Sequence, residues 1–161
     1  MVRSLNELFL VVAVPLCLAA TLDGQVAPPL TQRDFVLGGL EENMDSAVVR
    51  NRLGKPDSIL VDESPFDVGA KLVTWRYRRV TVDFFASDRV VGLSTTDPSI
   101  PTPRGLRVGD SNARMKRLYG EPTGSYADAS DYEDPHQHLH VIRVRVHDGH
   151  VAAIYLGYLL D

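Results

Sequence analysis

The stretch His138–Leu159, HLHVIRVRVHDGHVAAIYLGYL, decides the reading of this chain. Two runs of alternating apolar and polar residues flank Asp148-Gly149, a dipeptide suited to the positive backbone angles of a tight hairpin turn. The expectation is a hairpin of His138–Val146 against Val151–Leu159. A simple register about that turn pairs Val146 with Val151, Val144 with Ala153 and Ile142 with Tyr155. Strand side chains alternate between faces with a period of two. This register therefore turns Tyr155 toward the core and Arg143, Arg145, His147, His150, Ile154, Leu156 and Tyr158 outward.

Upstream the same alternation recurs. Ser58–Val61, Leu72–Tyr77, Val80–Phe85 and Val90–Thr95 read as strands, with turns near Arg78-Arg79 and Ser87-Asp88. Phe84 pairs with Val91 and Val82 with Leu93, which puts Trp75, Tyr77 and Phe84 in the core. The outward set in this half is Arg76, Thr81, Asp83, Phe85 and Val90. Gly124–Ala127 is a weaker strand, and the acidic Asp128–Pro135 reads as a loop. Two segments have helix punctuation. Asp45 or Ser46 caps the first and Asp110 or Ser111 the second, while Gly54-x-Pro56 and Gly120-x-Pro122 end them. Val49/Leu53 and Met115/Tyr119, four apart, give each helix one apolar stripe. Leu37–Pro56 and Pro103–Pro122 match at an offset of 66: Gly39-Leu40 with Gly105-Leu106, Ala47 with Ala113, Gly54 with Gly120, Pro56 with Pro122. The fold class expected is α+β, a tandem repeat of a short helix packed on an antiparallel β-meander. The first helix should lie over Trp75 and the second over Tyr155.

At the N-terminus, Arg3 precedes thirteen apolar residues, Leu8–Ala20. That length fits a secretory signal core of roughly 7–15 residues and falls short of the roughly 20 a spanning helix needs. The organisation expected is a signal peptide over 1–20, a linker over 21–33, a first unit over 34–97, a stiff connector over 98–103 (PSIPTP) and a second unit over 104–161. A periplasmic or secreted location follows. Cys17 is the lone cysteine, so no internal disulfide forms. Pro15 and Leu16 before it make a poor lipidation site, and membrane attachment depends on lipidation of Cys17. Seventeen Lys and Arg against 21 Asp and Glu, a net charge of −4 over 161 residues, argue against nucleic acid as a partner, which needs a basic footprint.

Leu53-Gly54-Lys55-Pro56, Trp75-Arg76-Tyr77, Val80-Thr81-Val82-Asp83-Phe84, Gly105–Ser111 and Tyr119-Gly120-Glu121-Pro122 together resemble the SmpA/OmlA (BamE-like) domain family and the related tandem fold of β-lactamase inhibitor proteins. That resemblance covers about residues 37–159. It implies helices on an antiparallel sheet in exported bacterial proteins without catalytic activity. The BamE-like members are outer-membrane lipoproteins that assist assembly, and the inhibitor-like members bind an enzyme with the open sheet face. This chain departs from the first in its lipidation site and from the second in lacking paired cysteines.

For chemistry, the five histidines lie between His136 and His150. His136, His138 and His140 stand at i, i+2 and i+4, hence on one side of a strand, and with Asp131, Glu133 or Asp134 they could ligate zinc. His147 and His150 flank the turn at the far end and cannot join them. No nucleophile elbow and no defined carboxylate pair occurs, so no catalytic residue and no cofactor is expected. The favoured function is an exported, non-enzymatic protein-binding module using the open face of the sheet through Arg143, Arg145, Ile154, Leu156 and Tyr158. The alternatives are a periplasmic metal-binding protein through His136, His138 and His140, and an outer-membrane assembly accessory lipoprotein.

Overall fold

The computed structural model describes residues 27–63, 70–85, 88–137 and 139–159; the proposed signal segment, Cys17 and His138 lie outside them. Ten strands and two helices follow in chain order: β1 (Val36–Leu37), β2 (Leu40–Glu41), α1 (Ser46–Leu53), β3 (Ser58–Glu63), β4 (Lys71–Arg76), β5 (Thr81–Phe84), β6 (Val90–Thr95), α2 (Asn112–Tyr119), β7 (Gly124–Ser125), β8 (Ala129–Glu133), β9 (His140–His147) and β10 (His150–Tyr158). β1 and β2 form a two-stranded sheet across Gly38-Gly39, both at positive φ, the geometry a two-residue hairpin demands. The other eight form one antiparallel sheet in the order β3-β4-β5-β6-β10-β9-β8-β7.

One row of side chains explains that order. Ile59, Trp75, Val82, Leu93, Leu156, Ile142 and Tyr132 are successive cross-strand partners from β3 to β8. All but Ile59 are buried. Each buried Leu or Ile side chain contributes about 1.5–3 kcal/mol over its exposed state, so the row closes only if β6 and β10 pair. They do, with Leu93 opposite Leu156 and Gly92 opposite Gly157.

That pairing overturns the expected α+β tandem repeat of a helix on a β-meander. The molecule is mostly β: a single eight-stranded sheet, a small two-stranded sheet and two eight-residue helices. The helices cover too little to make separate cores, since α1 buries only Val49 and α2 only Met115 and Tyr119. The rest of the covering layer is irregular chain and the small hairpin, which supply Leu30, Phe35, Leu37, Leu40, Ile100 and Leu106. Residues 98–103 are thus part of the core, with Ile100 and Thr102 buried.

Locally the helix signals act as read. The Asp45 carboxylate accepts from the Ala47 N–H and the Ser111 hydroxyl oxygen from the Arg114 N–H. Gly54 and Gly120 follow at φ 80° and 83°. Each helix entry also ties to a hairpin end: the Ser46 N–H donates to the Asp88 carbonyl and the Asn112 N–H to the Gly149 carbonyl. α1 does lie over Trp75, with the Arg50 guanidinium 4.8 Å from its ring centre.

Residues 28–34, ahead of β1, are tied to the second half of the chain. The Arg104 guanidinium meets the Asp34 carboxylate in a fork at 2.7 and 2.9 Å and also donates to the Pro28, Pro29 and Leu118 carbonyls. Burial alone would raise the Asp34 pKa, but Arg104 and the Thr31 N–H outweigh it and hold the carboxyl below its usual range.

The β6–β10 seam gives a test. Gly157 stands at φ +140°, and a methyl there would collide with the Val91 carbonyl oxygen, whereas Gly149 in the turn has open space around it. Gly157→Ala is expected to lower stability by about 2–4 kcal/mol, overpacking added to backbone strain. Gly149→Ala should cost about 1 kcal/mol. Urea denaturation midpoints of the two variants check the ordering.

Candidate functional site

A single extra residue determines which side chains form the open face. β10 pairs Val151 with Val146 as expected, but the register then shifts between Val151 and Ala153, so Ala153 faces Arg145, Ile154 faces Val144 and Tyr155 faces Arg143. A bulge of this kind exchanges the two faces of everything beyond it. Ile154 and Leu156 are fully buried in the core. Tyr158, opposite His140, is half-buried on the same covered side and donates to the Gln137 side-chain oxygen at 2.8 Å. These three expected contact residues are therefore not on the open face. Tyr155, expected in the core, is on it. The upstream hairpin slips similarly: Phe84 faces Val90 rather than Val91, and Val90 is buried.

The open face is a polar row running the whole width of the sheet: Ser58, Arg76, Thr81, Ser94, Tyr155, Arg143, Asp131 and Gly124 are successive partners. Arg143 is not a free guanidinium. It forks onto the buried Asp131 carboxylate at 2.9 and 3.0 Å and sits 5.5 Å over the Tyr126 ring. Asp131 belongs to β8, in the stretch read as an acidic loop. Its Asp-Tyr pair sends Tyr132 into the core and Asp131 to Arg143. Arg145 is exposed and meets the exposed Asp128 at 3.2 Å. Tyr126 is 60% exposed.

Nearer the centre, the Thr74 hydroxyl donates to Asp83 at 2.6 Å. Burial raises the Asp83 pKa, against the lowering by Thr74 and Arg76. Gly92 beside it has no side chain because a methyl would lie 2.7 Å from the Tyr155 hydroxyl and 3.1 Å from the Asp83 carboxylate. The hydroxyl end of Tyr155 thus lies against both seam glycines, Gly92 and Gly157. Tyr126, Tyr155 and Asp131 were missed on this face, whereas Asp83 was expected outward and stands there beside Thr74. Tyr155 changes face with the bulge, and Asp131 reaches it because β8 is a strand.

The histidine reading changes as well. β9 begins at His140, and before it the Asp134 N–H donates to the His140 carbonyl while Leu139 stands at φ 63°, so the described residues here form a turn rather than an extended strand. His136 is exposed on that turn, and His138 lies outside the described residues. His140 is fully buried, its Nε2 2.8 Å from Glu42 and its Nδ1 3.1 Å from Asp134, stacked 3.6 Å from Phe35. With both ring nitrogens facing carboxylates, His140 offers no lone pair to an ion and, being buried, none to a substrate. Among the described residues no group of three or more His, Cys, Asp or Glu is placed to hold a metal ion. No protein family, curated protein or solved structure matches this chain.

Burial alone would lower the His140 pKa; the hydrogen bonds and charge of Glu42, then of Asp134, outweigh it and raise it above its ordinary value. A raised folded pKa means that the clamp's stabilisation is complete below the unfolded value, about 6.5, and is lost as pH rises through the folded value. His140→Gln should cost about 3–5 kcal/mol near pH 6, the usual penalty for orphaning buried charge. The gap from wild type should narrow steadily toward pH 9. Denaturation midpoints across that range check it, and a pH-independent gap contradicts the charged clamp.

Proposed function

We propose that this protein is an exported, non-enzymatic protein-binding module that presents the open face of its sheet to another protein in the cell envelope or outside the cell. The observation that carries the reading is the strip of Tyr126, Arg143 and Tyr155 on the face left uncovered by both helices and the small hairpin. Tyr and Arg dominate the energetics of protein interfaces because they bring large, stiff contact area together with directed polar groups. Here Arg143 is already locked by Asp131, so little side-chain freedom remains to be lost on contact.

The resemblance to inhibitor-like sheet domains points to the same face. Signal-directed export rests on the apolar run Leu8–Ala20. The metal reading is not carried forward, since His136 and His140 stand in different settings and His140 is engaged by Glu42 and Asp134. The lipoprotein reading rests on Cys17, which lies outside the described residues.

Affinity capture from the envelope fraction tests the face. Tyr126→Ala with Arg145→Glu leaves the Arg143–Asp131 fork in place, so the variant should fold as wild type by circular dichroism. It should lose at least about tenfold in recovery of the specific partner, because interface Tyr and Arg truncations cost about 2 kcal/mol or more. Equal recovery by wild type and variant overturns the open face as the binding site.

A further inference from the structure

Among the described residues, β3 is the outermost strand of the sheet and pairs only with β4. All six of its residues are exposed, including Ile59 at 49%, Leu60 at 38% and Val61 at 56%. Exposed sheet edges are normally shortened, bulged, or guarded by Lys or Pro. The opposite edge, β7, is guarded in that way by having only two residues. β3 has six, with no Lys and no Pro among them.

The hydrogen-bond phase of this edge follows from the neighbouring hairpin. The Tyr77 N–H donates to the Val80 carbonyl, so the odd residues of β4 bond to β5 and the even ones, Arg76, Thr74 and Leu72, bond to β3. Their partners are Ser58, Leu60 and Asp62. The N–H and C=O groups of Ile59 and Val61 therefore point away from β4, to the side on which no described strand lies.

We propose that β3 pairs antiparallel with β3 of a second copy of this chain, about a two-fold axis through Leu60. A two-fold contact needs a surface complementary to itself. Ser58-Ile59-Leu60-Val61-Asp62 is such a surface: polar, β-branched, Leu, β-branched, polar in either direction. In this register Ile59 stands opposite Val61 of the second copy, and Leu60 opposite Leu60. A slip of two residues, the smallest that keeps the hydrogen-bond phase, sets Leu60 against Ser58 or Asp62. Near the ends a hydroxyl meets a carboxylate. Ser58, a hydroxyl donor with exposed Arg76 directly behind it in the sheet, falls opposite the Asp62 carboxylate of the second copy, twice over by symmetry. The product is a continuous sixteen-stranded sheet, and this contact is independent of what the open face binds.

The axis predicts a crosslink. Leu60 would be a non-hydrogen-bonded pair with its own copy, Cα atoms about 4.5 Å apart, within disulfide range. In the full chain carrying Cys17→Ser, Leu60→Cys should oxidise to a disulfide dimer at least about tenfold faster than Ser58→Cys, which faces Asp62 instead. Light scattering at about 100 µM should give twice the chain mass for wild type and the single mass for Val61→Lys, with unchanged circular dichroism. If Val61→Lys fails to fold, the two cysteine rates decide. A monomeric wild type, equal cysteine rates, or a wild-type dimer that persists in Val61→Lys overturns the proposal. Dimer formation with faster Ser58→Cys crosslinking would instead assign the edge to a different register and overturn the axis at Leu60.

Discussion

The pairing of β6 with β10 is the contact on which the molecule depends. Each meander alone would leave an apolar strand unpaired at its inner edge and expose Leu93 or Leu156. Joined, they make one row of buried side chains six strands wide, from Trp75 to Tyr132. The join needs two facing glycines, Gly92 and Gly157, because the backbones and the Tyr155 ring approach too closely for any side chain. A tight seam of this sort fixes the relative position of the two halves, and with it the geometry of the open face.

Opposite that face, the covering layer is fastened by buried charge. Among the described residues there is no cysteine. Asp34 and Glu42 bracket the small hairpin, and each is held from the second half of the chain, Asp34 by Arg104 and Glu42 by His140. Buried pairs contribute little net stability against a well-packed apolar alternative, but breaking one is costly. Their effect is to specify where the N-terminal strap docks. Glu42 keeps one oxygen buried with no partner among the described residues, so its placement relies on the bond between its other oxygen and His140.

The two sheet surfaces that remain accessible differ in kind. The broad face is polar and internally satisfied, with Arg143, Asp131 and Tyr126 already in contact. The β3 edge is apolar and carries backbone groups with no strand beside them. Broad faces recognise shape and side-chain chemistry, whereas edges recognise any extended backbone whose side chains alternate compatibly. The two proposed contacts therefore fall on different surfaces, and neither would exclude the other.

Local chemistry made much of the chain legible. Capping by Asp45 and Ser111, the stops at Gly54 and Gly120, the Asp148-Gly149 turn and the pairing of Val82 with Leu93 depend on residues near in sequence and were read correctly. β8 was not, because Ala129–Glu133 is acidic and becomes a strand only when Arg143 neutralises Asp131 and β9 supplies hydrogen bonds. The open face was half legible: Arg143 and Arg145 precede the turn and kept their side, whereas Ile154, Leu156 and Tyr158 follow the bulge and changed theirs. Sequence alone determined the two helices, the strands from β3 to β6, the last hairpin and its turn, because those obey backbone sterics and nearest-neighbour hydrogen bonds. Only the tertiary structure decided the phase of β10 and the fusion into one sheet, because a one-residue bulge has no local signature and is selected by how distant side chains pack.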